Sequence, residues 1–170
     1  MHKAQKDSCR RFCRGYLDPK KQLSILDVGS YNVNGTWKGV FEKYGKGNWH
    51  YDGLDIVEGR NVDIICKDGK FPIEDNAYDV VVSGSCFEHD VAFWATFEEI
   101  VRVAKNDGYI FITTPSKGAV HRHPLDCWRF YPDAYIALSK WCPEAELIKS
   151  YNAGGGLNDL VGIFKVKSNG

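Results

Sequence analysis

The sequence predicts an α/β fold with one mostly parallel sheet. Three observations carry this. Short apolar runs of strand length alternate with amphipathic helical segments over most of the chain. The last two strand-like segments follow each other with no helix between them, so the sheet should end in an antiparallel pair. The chain has 170 residues and no Pro/Gly-rich linker or internal repeat, which suits a single domain spanning 1–170 with one core.

Residues 2–17 read as a polar helix anchored by Phe12, Tyr16 and Leu17. "LSILDVG" (23–29) is a short apolar run ending in Asp and Gly, as expected of a strand buried on both faces. Trp37, Val40, Phe41 and Tyr44 recur at helical spacing, so 35–44 should be a helix. "YDGLDIV" (51–57) and "VDIIC" (62–66) are strand-like. About five residues separate them, whereas a full parallel crossover takes roughly a dozen or more. The second is therefore a short or irregular edge piece, or its crossover helix has been lost. "YDVVVSGS" (78–85) is the clearest buried strand, and 92–104 follows as a helix with Phe93, Phe97, Ile100, Val101 and Ala104 on one face. "GYIFITTP" (108–115) is closed by Pro115. Pro132 opens a helix over "PDAYIALSKWC". "EAELIKSYN" (144–152) and "LVGIFKVKS" (160–168) are the two closing strands around a Gly-Gly-Gly loop.

Composition excludes several classes of protein. The chain is 44% hydrophobic and 26% charged, and its 22 basic residues balance 22 acidic ones. No global field therefore draws it to nucleic acid or to an anionic membrane. Lys3, Lys6, Arg10, Arg11, Arg14, Lys20 and Lys21 outnumber Asp7 and Asp18 near the N-terminus, which reads as a solvated helix face. The six cysteines form no C-x-x-C pair, and Cys66 and Cys86 lie in or beside apolar runs. Reduced thiols and a cytoplasmic location are the simplest expectation, with no leader and no membrane span. Asn34-Gly35-Thr36 is then a chance glycosylation sequon.

In open α/β sheets ligands bind at the carboxyl ends of the strands. The chemistry should lie just after residues 29, 56, 67, 83 and 115. At the first strand end stand Asp27, Gly29, Ser30, Asn32, Asn34 and Gly35. The G-x-G-x-x-G pattern that lets a backbone approach a pyrophosphate is absent, which disfavours a nicotinamide dinucleotide. A ligand carrying a carboxylate and a sulfonium asks less of this loop. Asp27 could accept from its ammonium group, and the amides after Gly29 could meet its polar atoms. The competing reading is an ordinary strand–turn–helix junction.

"GLDI" places Asp55 and Ile56 at the second strand end, where an acidic side chain can hold two ribose hydroxyls. Asp68 stands after the third, where a carboxylate could accept from an adenine amine. "SGSCFEHDVAFW" holds Glu88 and His89 after the fourth. His89 could take up a proton, or could merely bond the loop. The densest segment is "HRHPLDCWRFYPDAY" (121–135). His121 or His123, tuned by Asp126, is a candidate base, and Arg129 a candidate two-pronged contact for an acidic substrate. Trp128, Phe130 and Tyr131 would supply aromatic walls. A Pro-pinned loop with internally paired charges is the alternative. No metal is assigned, because further ligands beside His121, His123 and Asp126 are not obvious.

"ILDVGSYNVNGT", "GLDIVEG", "FPIEDNAYDVVVSGSCFEH", "IVRVAKNDGYIFITTPS" and "HRHPLDCWRFYPDA", in this order, resemble the class I S-adenosylmethionine-dependent methyltransferases, especially the methyltransferase type 11 group. The resemblance spans roughly 23–140. It implies a Rossmann-like three-layer sandwich around a seven-stranded sheet with one antiparallel strand near the C-terminus. It assigns Asp27, Gly29 and Ser30 to the methionine end of S-adenosylmethionine, Asp55 to its ribose and Asp68 to the adenine region, with Gly35, Ile56 and Ser83 as further cofactor contacts. The stretch from Ser83 to His89 would border the transferable methyl. "SYN" replaces the central glycines of the family's D-x-G-x-G-x-G.

The function this implies is methyl transfer to a hydroxyl or amine of a small molecule or glycan. His121, His123 and His89 would be catalytic, and Asp126, Trp128, Arg129 and Tyr131 would contact substrate. The 1–17 helix would serve as a lid or substrate wall. Two alternatives stand beside it: a methyltransferase-like binding or scaffold protein without catalysis, and an NAD-dependent oxidoreductase that the missing fingerprint disfavours.

Overall fold

The computed structural model describes residues 3–33 and 35–168; Asn34, with the sequon expected there, lies outside them. One sheet of seven strands runs through the molecule in the order β3-β2-β1-β4-β5-β7-β6. Its strands are β1 (Leu23–Val28), β2 (Trp49–Asp55), β3 (Ile64–Ile65), β4 (Tyr78–Gly84), β5 (Ala104–Thr114), β6 (Ala145–Asn152) and β7 (Leu160–Val166). The helices are α1 (Lys3–Tyr16), α2 (Lys38–Gly45), α3 (Phe93–Val103) and α4 (Asp133–Trp141). Pairing is parallel from β3 through β5. β7 lies antiparallel between β5 and β6, so it is the one reversed strand. The mostly parallel sheet with an antiparallel strand near the C-terminus is as the sequence predicts.

Alternation along the central strands produces two cores. Ile25, Val80, Val82, Phe111 and Ile163 face α1 and α2, where Cys9, Phe12, Trp37 and Phe41 meet them. Leu26, Val81, Ile110, Ile112 and Phe164 face α3 and α4, against Phe97, Ile100, Tyr135 and Leu138. Because both faces are covered, these strands read as unbroken apolar runs. Phe12 stacks on Phe111 with ring centroids 4.8 Å apart, which ties α1 to the middle of the sheet.

The doubtful second crossover resolves simply. β3 has only two residues, and it pairs with Leu54 and Asp55 at the carboxyl end of β2. The chain needs no helix to return there, because it never travels back along the length of β2. Asp63 clamps the connection: its amide donates to the Gly53 carbonyl at 2.8 Å, and its carboxylate accepts from the Gly53 amide at 2.9 Å.

Candidate active site

The carboxyl ends of β1, β2, β4 and β5 open on the same side of the sheet, and the loops that follow them build the site. Asp27, on β1, is buried (5% exposed), and Oδ2 accepts a short hydrogen bond from the Tyr51 hydroxyl. No described residue takes Oδ1, which is left for an incoming donor. Burial pushes Asp27 up to about 7, against the pull of Tyr51 and with a further push from Asp55. Gly29 has φ +77, and a Cβ there would stand 2.5 Å from Cys86 Sγ. That glycine lets the β1 loop pass directly over the turn after β4.

The loop amides are not free, contrary to the expectation that they could meet a ligand. Gly29 N and Ser30 N both donate to the Leu54 carbonyl, at 2.9 and 3.1 Å. Tyr31 N donates to Asp55 Oδ2 at 2.9 Å, and Asn32 N to the Arg60 carbonyl at 3.0 Å. The residues that replace the usual glycines thus fold the loop onto β2 and the β2–β3 connection. Tyr31 lies over Gly59, where a Cβ would stand 2.1 Å from the ring. Asp55 also caps its own turn through Oδ1, at 2.8 Å from Ile56 N. Its Oδ2, with one bond made, keeps an acceptor direction. Ile56 is 63% exposed, and Tyr31, Val33 and Val57 are exposed beside it, so the strand ends carry an apolar rim. Gly35 and Asp68 are exposed in their loops. Ser83 is buried and donates to the Val28 carbonyl at 2.9 Å, which joins β4 to β1.

Above β4 and β5 the loop 116–131 brings three histidines together. The ring centroids of His89 and His121 are 5.0 Å apart, and those of His89 and His123 5.6 Å. His89 Nδ1 lies 2.6 Å from the Leu125 carbonyl. Burial, with His121 and His123 nearby, holds His89 below its ordinary value, offset in part by that carbonyl. Beneath the rings lies Glu88, 0% exposed. Burial pushes it up to about 8, against the pull of Arg129. The loop is hung on the Glu88 carbonyl, which accepts from Cys127 N at 2.6 Å and Trp128 N at 3.2 Å.

Asp126 and Arg129 form the two-pronged pair at the loop's centre, with Nη1–Oδ1 2.6 Å and Nη2–Oδ2 2.7 Å. Arg129 holds Asp126 well below the usual carboxylate range. The remaining Nη hydrogens go to the Trp128 and Ala119 carbonyls, so a two-pronged grip on a substrate would require this pair to open. Asp126 also accepts from the His121 amide at 2.7 Å, the neighbour relation that the sequence suggests. Trp128 Nε1 donates to the Asp90 carbonyl at 2.7 Å, and Tyr131 is largely exposed. Gln5, on α1, reaches Ser85 Oγ at 2.7 Å and Thr113 Oγ1 at 3.3 Å, so the N-terminal helix meets the ends of β4 and β5.

Nothing in the sequence assigns Tyr51, Glu88 or Gln5 to the site. Glu88 was visible beside His89 but carries no local sign of burial. Tyr51 and Gln5 meet the site only through tertiary packing.

Residues 42–112 match the family described as "Methyltransferase domain". The match covers the chain from α2 into β5, and over that segment the chain is similar to this family. The matched segment begins after the β1 loop, where the glycine pattern departs. No curated protein sequence matches the chain. Among solved structures it resembles 1,6-didemethyltoxoflavin-N1-methyltransferase from Burkholderia thailandensis, crystallised with 1,6-didemethyltoxoflavin and S-adenosylhomocysteine. That likeness has TM-score 0.75 at 16% identity over 98% of this chain and 79% of the other. A SAM-dependent methyltransferase from Aquifex aeolicus gives TM-score 0.69 at 17% identity, over 96% and 89% of the two chains. The methyltransferase in a complex with the Haloferax volcanii Trm112 methyltransferase activator gives 0.72 at 12%, over 98% and 91%. Among the described residues no helix is long and apolar enough to cross a membrane.

Proposed function

We propose that this protein transfers a methyl group from S-adenosylmethionine to a hydroxyl or amine of a small-molecule or glycan acceptor. The observation that carries this reading is the convergence, at one end of the sheet, of Asp27, Asp55 and the three-histidine loop. The residues fit the cofactor: Asp27 Oδ1 awaits a donor, and the exposed Ile56 follows an Asp55 that keeps an acceptor direction. An ammonium beside Asp27 would restore its charge and offset its burial.

When bound, S-adenosylmethionine supplies an electrophilic methyl on a sulfonium, and in-line attack forms the new bond to the acceptor as the carbon–sulfur pair returns to sulfur. Asp27 would hold the methionine end and Asp55 the ribose, with Asp68, Ser30, Gly35 and Ser83 bordering. His89, His121 and His123 stand over the β4 end, where they would take the acceptor's proton. The Asp126–Arg129 pair would hold that loop in place, with Trp128, Tyr131 and α1 as walls of the acceptor site. The balance of 22 basic and 22 acidic residues makes nucleic acid a poor candidate acceptor, and a cytoplasmic enzyme is the expectation that goes with reduced cysteines.

A binding or scaffold protein without catalysis is favoured by one observation, the internal use of the Gly29 to Asn32 amides. Calorimetric titration with S-adenosylmethionine and S-adenosylhomocysteine separates the readings. Binding of either supports the enzyme, and binding of neither refutes it.

A further inference from the structure

The turn after β4 holds a carboxylate that the reading above leaves unused. Glu88 is fully buried, and among the described residues neither side-chain oxygen has a hydrogen-bond partner. A buried carboxyl with nothing to bond is costly unless a cation or a proton meets it. The group facing it is His89 Nε2, 3.7 Å from Oε1. His121 completes a set: one ligand atom each from Glu88, His89 and His121 lies within 4.8 Å of the other two. Glu88 and His89 come from the turn after β4 and His121 from the loop after β5, so the set exists only in the folded chain.

The hydrogen bonds of the two imidazoles point the same way. His89 Nδ1 faces the Leu125 carbonyl at 2.6 Å, and a carbonyl can only accept. Nδ1 therefore carries the hydrogen, and Nε2 turns its lone pair toward Glu88. His121 Nδ1 faces two acceptors, the Ala119 carbonyl at 3.2 Å and Asp126 Oδ2 at 3.5 Å. Arg129 Nη2 stands 3.4 Å from the same Nδ1, but its two hydrogens go to Ala119 at 3.0 Å and Asp126 at 2.7 Å. A histidine whose second nitrogen donates to a carbonyl or carboxylate is the arrangement that orients metal ligands.

We propose that Glu88, His89 and His121 bind a divalent transition-metal ion, zinc best matching the donor set. Two imidazole nitrogens and one carboxylate give three protein ligands, and the fourth position stays open. Ligand bonds of about 2.0–2.2 Å place tetrahedral donors roughly 3.3–3.5 Å apart, so the Glu88–His89 spacing is nearly set and His121 closes by side-chain rotation. Metal binding does not depend on the methyl-transfer reading. Where that reading also holds, an acceptor hydroxyl in the open position loses its proton to solvent at neutral pH and presents its oxygen to the methyl. His89 and His121 then act as ligands and not as proton acceptors.

The test uses the full chain, stripped with chelator and exchanged into clean buffer, then titrated with Zn²⁺ alone by calorimetry. Co²⁺ absorption reports the coordination geometry. One ion per chain, a tetrahedral cobalt spectrum, and affinity cut at least ~10-fold in both His121→Ala and Glu88→Gln are expected. His50→Ala, on the exposed amino end of β2, should bind like the parent. Circular dichroism checks that each variant is folded, and Glu88→Gln keeps the buried shape. No binding by ~1 mM Zn²⁺, or binding that survives His121→Ala, overturns the proposal. Titrating S-adenosylhomocysteine into the metal-free protein keeps the two readings apart. Cofactor binding without zinc binding sinks the metal site alone, and zinc binding without cofactor binding sinks the methyltransferase reading alone.

Discussion

Replacing Asp27 by Asn should flatten the dependence of stability on pH. In the fold, burial raises Asp27 from an ordinary 3.8 to about 7, with Tyr51 pulling down and Asp55 pushing up. Between those values the native protein keeps a proton that the unfolded chain has released. Stability from this group is therefore greatest below about pH 4 and is lost as pH rises through the folded value near 7. Each pH unit in that window is about 1.4 kcal/mol, so the whole span amounts to roughly 4 kcal/mol. Asn cannot ionise, and its amide oxygen still accepts from the Tyr51 hydroxyl. The stability of the Asn variant relative to the parent should rise by about 1.4 kcal/mol per pH unit from pH 4.5 to 6.5 and level off above about pH 7.5. Any cost of the new amide donor shifts the whole curve without changing its slope. Urea unfolding at pH 5, 6, 7 and 8, followed by tryptophan fluorescence, measures this. A difference independent of pH would show that Asp27 is ionised in the fold throughout and would refute the assignment.

Gly29→Ala places a methyl against Cys86 in left-handed backbone and should lower stability by about 2–3 kcal/mol in urea melts. Measured against Cys86→Gly alone, adding Cys86→Gly should recover part of that loss, since Sγ at 2.5 Å and Cβ at 2.6 Å both go while the strained φ remains. Tyr135→Phe removes a buried hydroxyl that bonds Thr114 at 2.9 Å and the Leu160 carbonyl at 3.1 Å, and should cost about 1–2 kcal/mol by denaturant titration. Asp126→Asn breaks the paired contact with Arg129; methyl-transfer turnover should fall at least ~10-fold while calorimetric affinity for S-adenosylhomocysteine changes less than ~2-fold. Equal losses in both measurements would place the loop against the cofactor instead.

Most of the elements were legible because each strand or helix announces itself by local periodicity. β4, with Val80 and Val82 facing one core and Val81 the other, needs nothing beyond its own apolar run. Boundaries were less legible. β2 begins at Trp49 and not at Tyr51, and β5 begins at Ala104, which helical spacing places at the end of the segment 92–104. Ala104 extends because Tyr78 pairs with it across the sheet, a partner with no trace in the nearby sequence. The site divides in the same way. The acidic ends of β1 and β2 and the histidine-rich loop stand out as residue types, whereas the burial of Glu88 and the occupied amides of Gly29 to Asn32 do not.

The amino-acid sequence by itself determined the alternation of strands and helices and the closing antiparallel pair, and it pointed to the strand ends as the place to look for ligand chemistry. Those follow from side-chain periodicity and from the rule that open sheets bind at their carboxyl ends. Only the tertiary structure decided what those residues meet. It folded the variant loop onto Leu54, Asp55 and Arg60, committed Arg129 to Asp126, and set His89 and His121 over the buried Glu88. Hydrogen-bond partners and desolvation depend on neighbours distant in the chain, and those neighbours exist only once the sheet has brought the ends of β1, β2, β4 and β5 together.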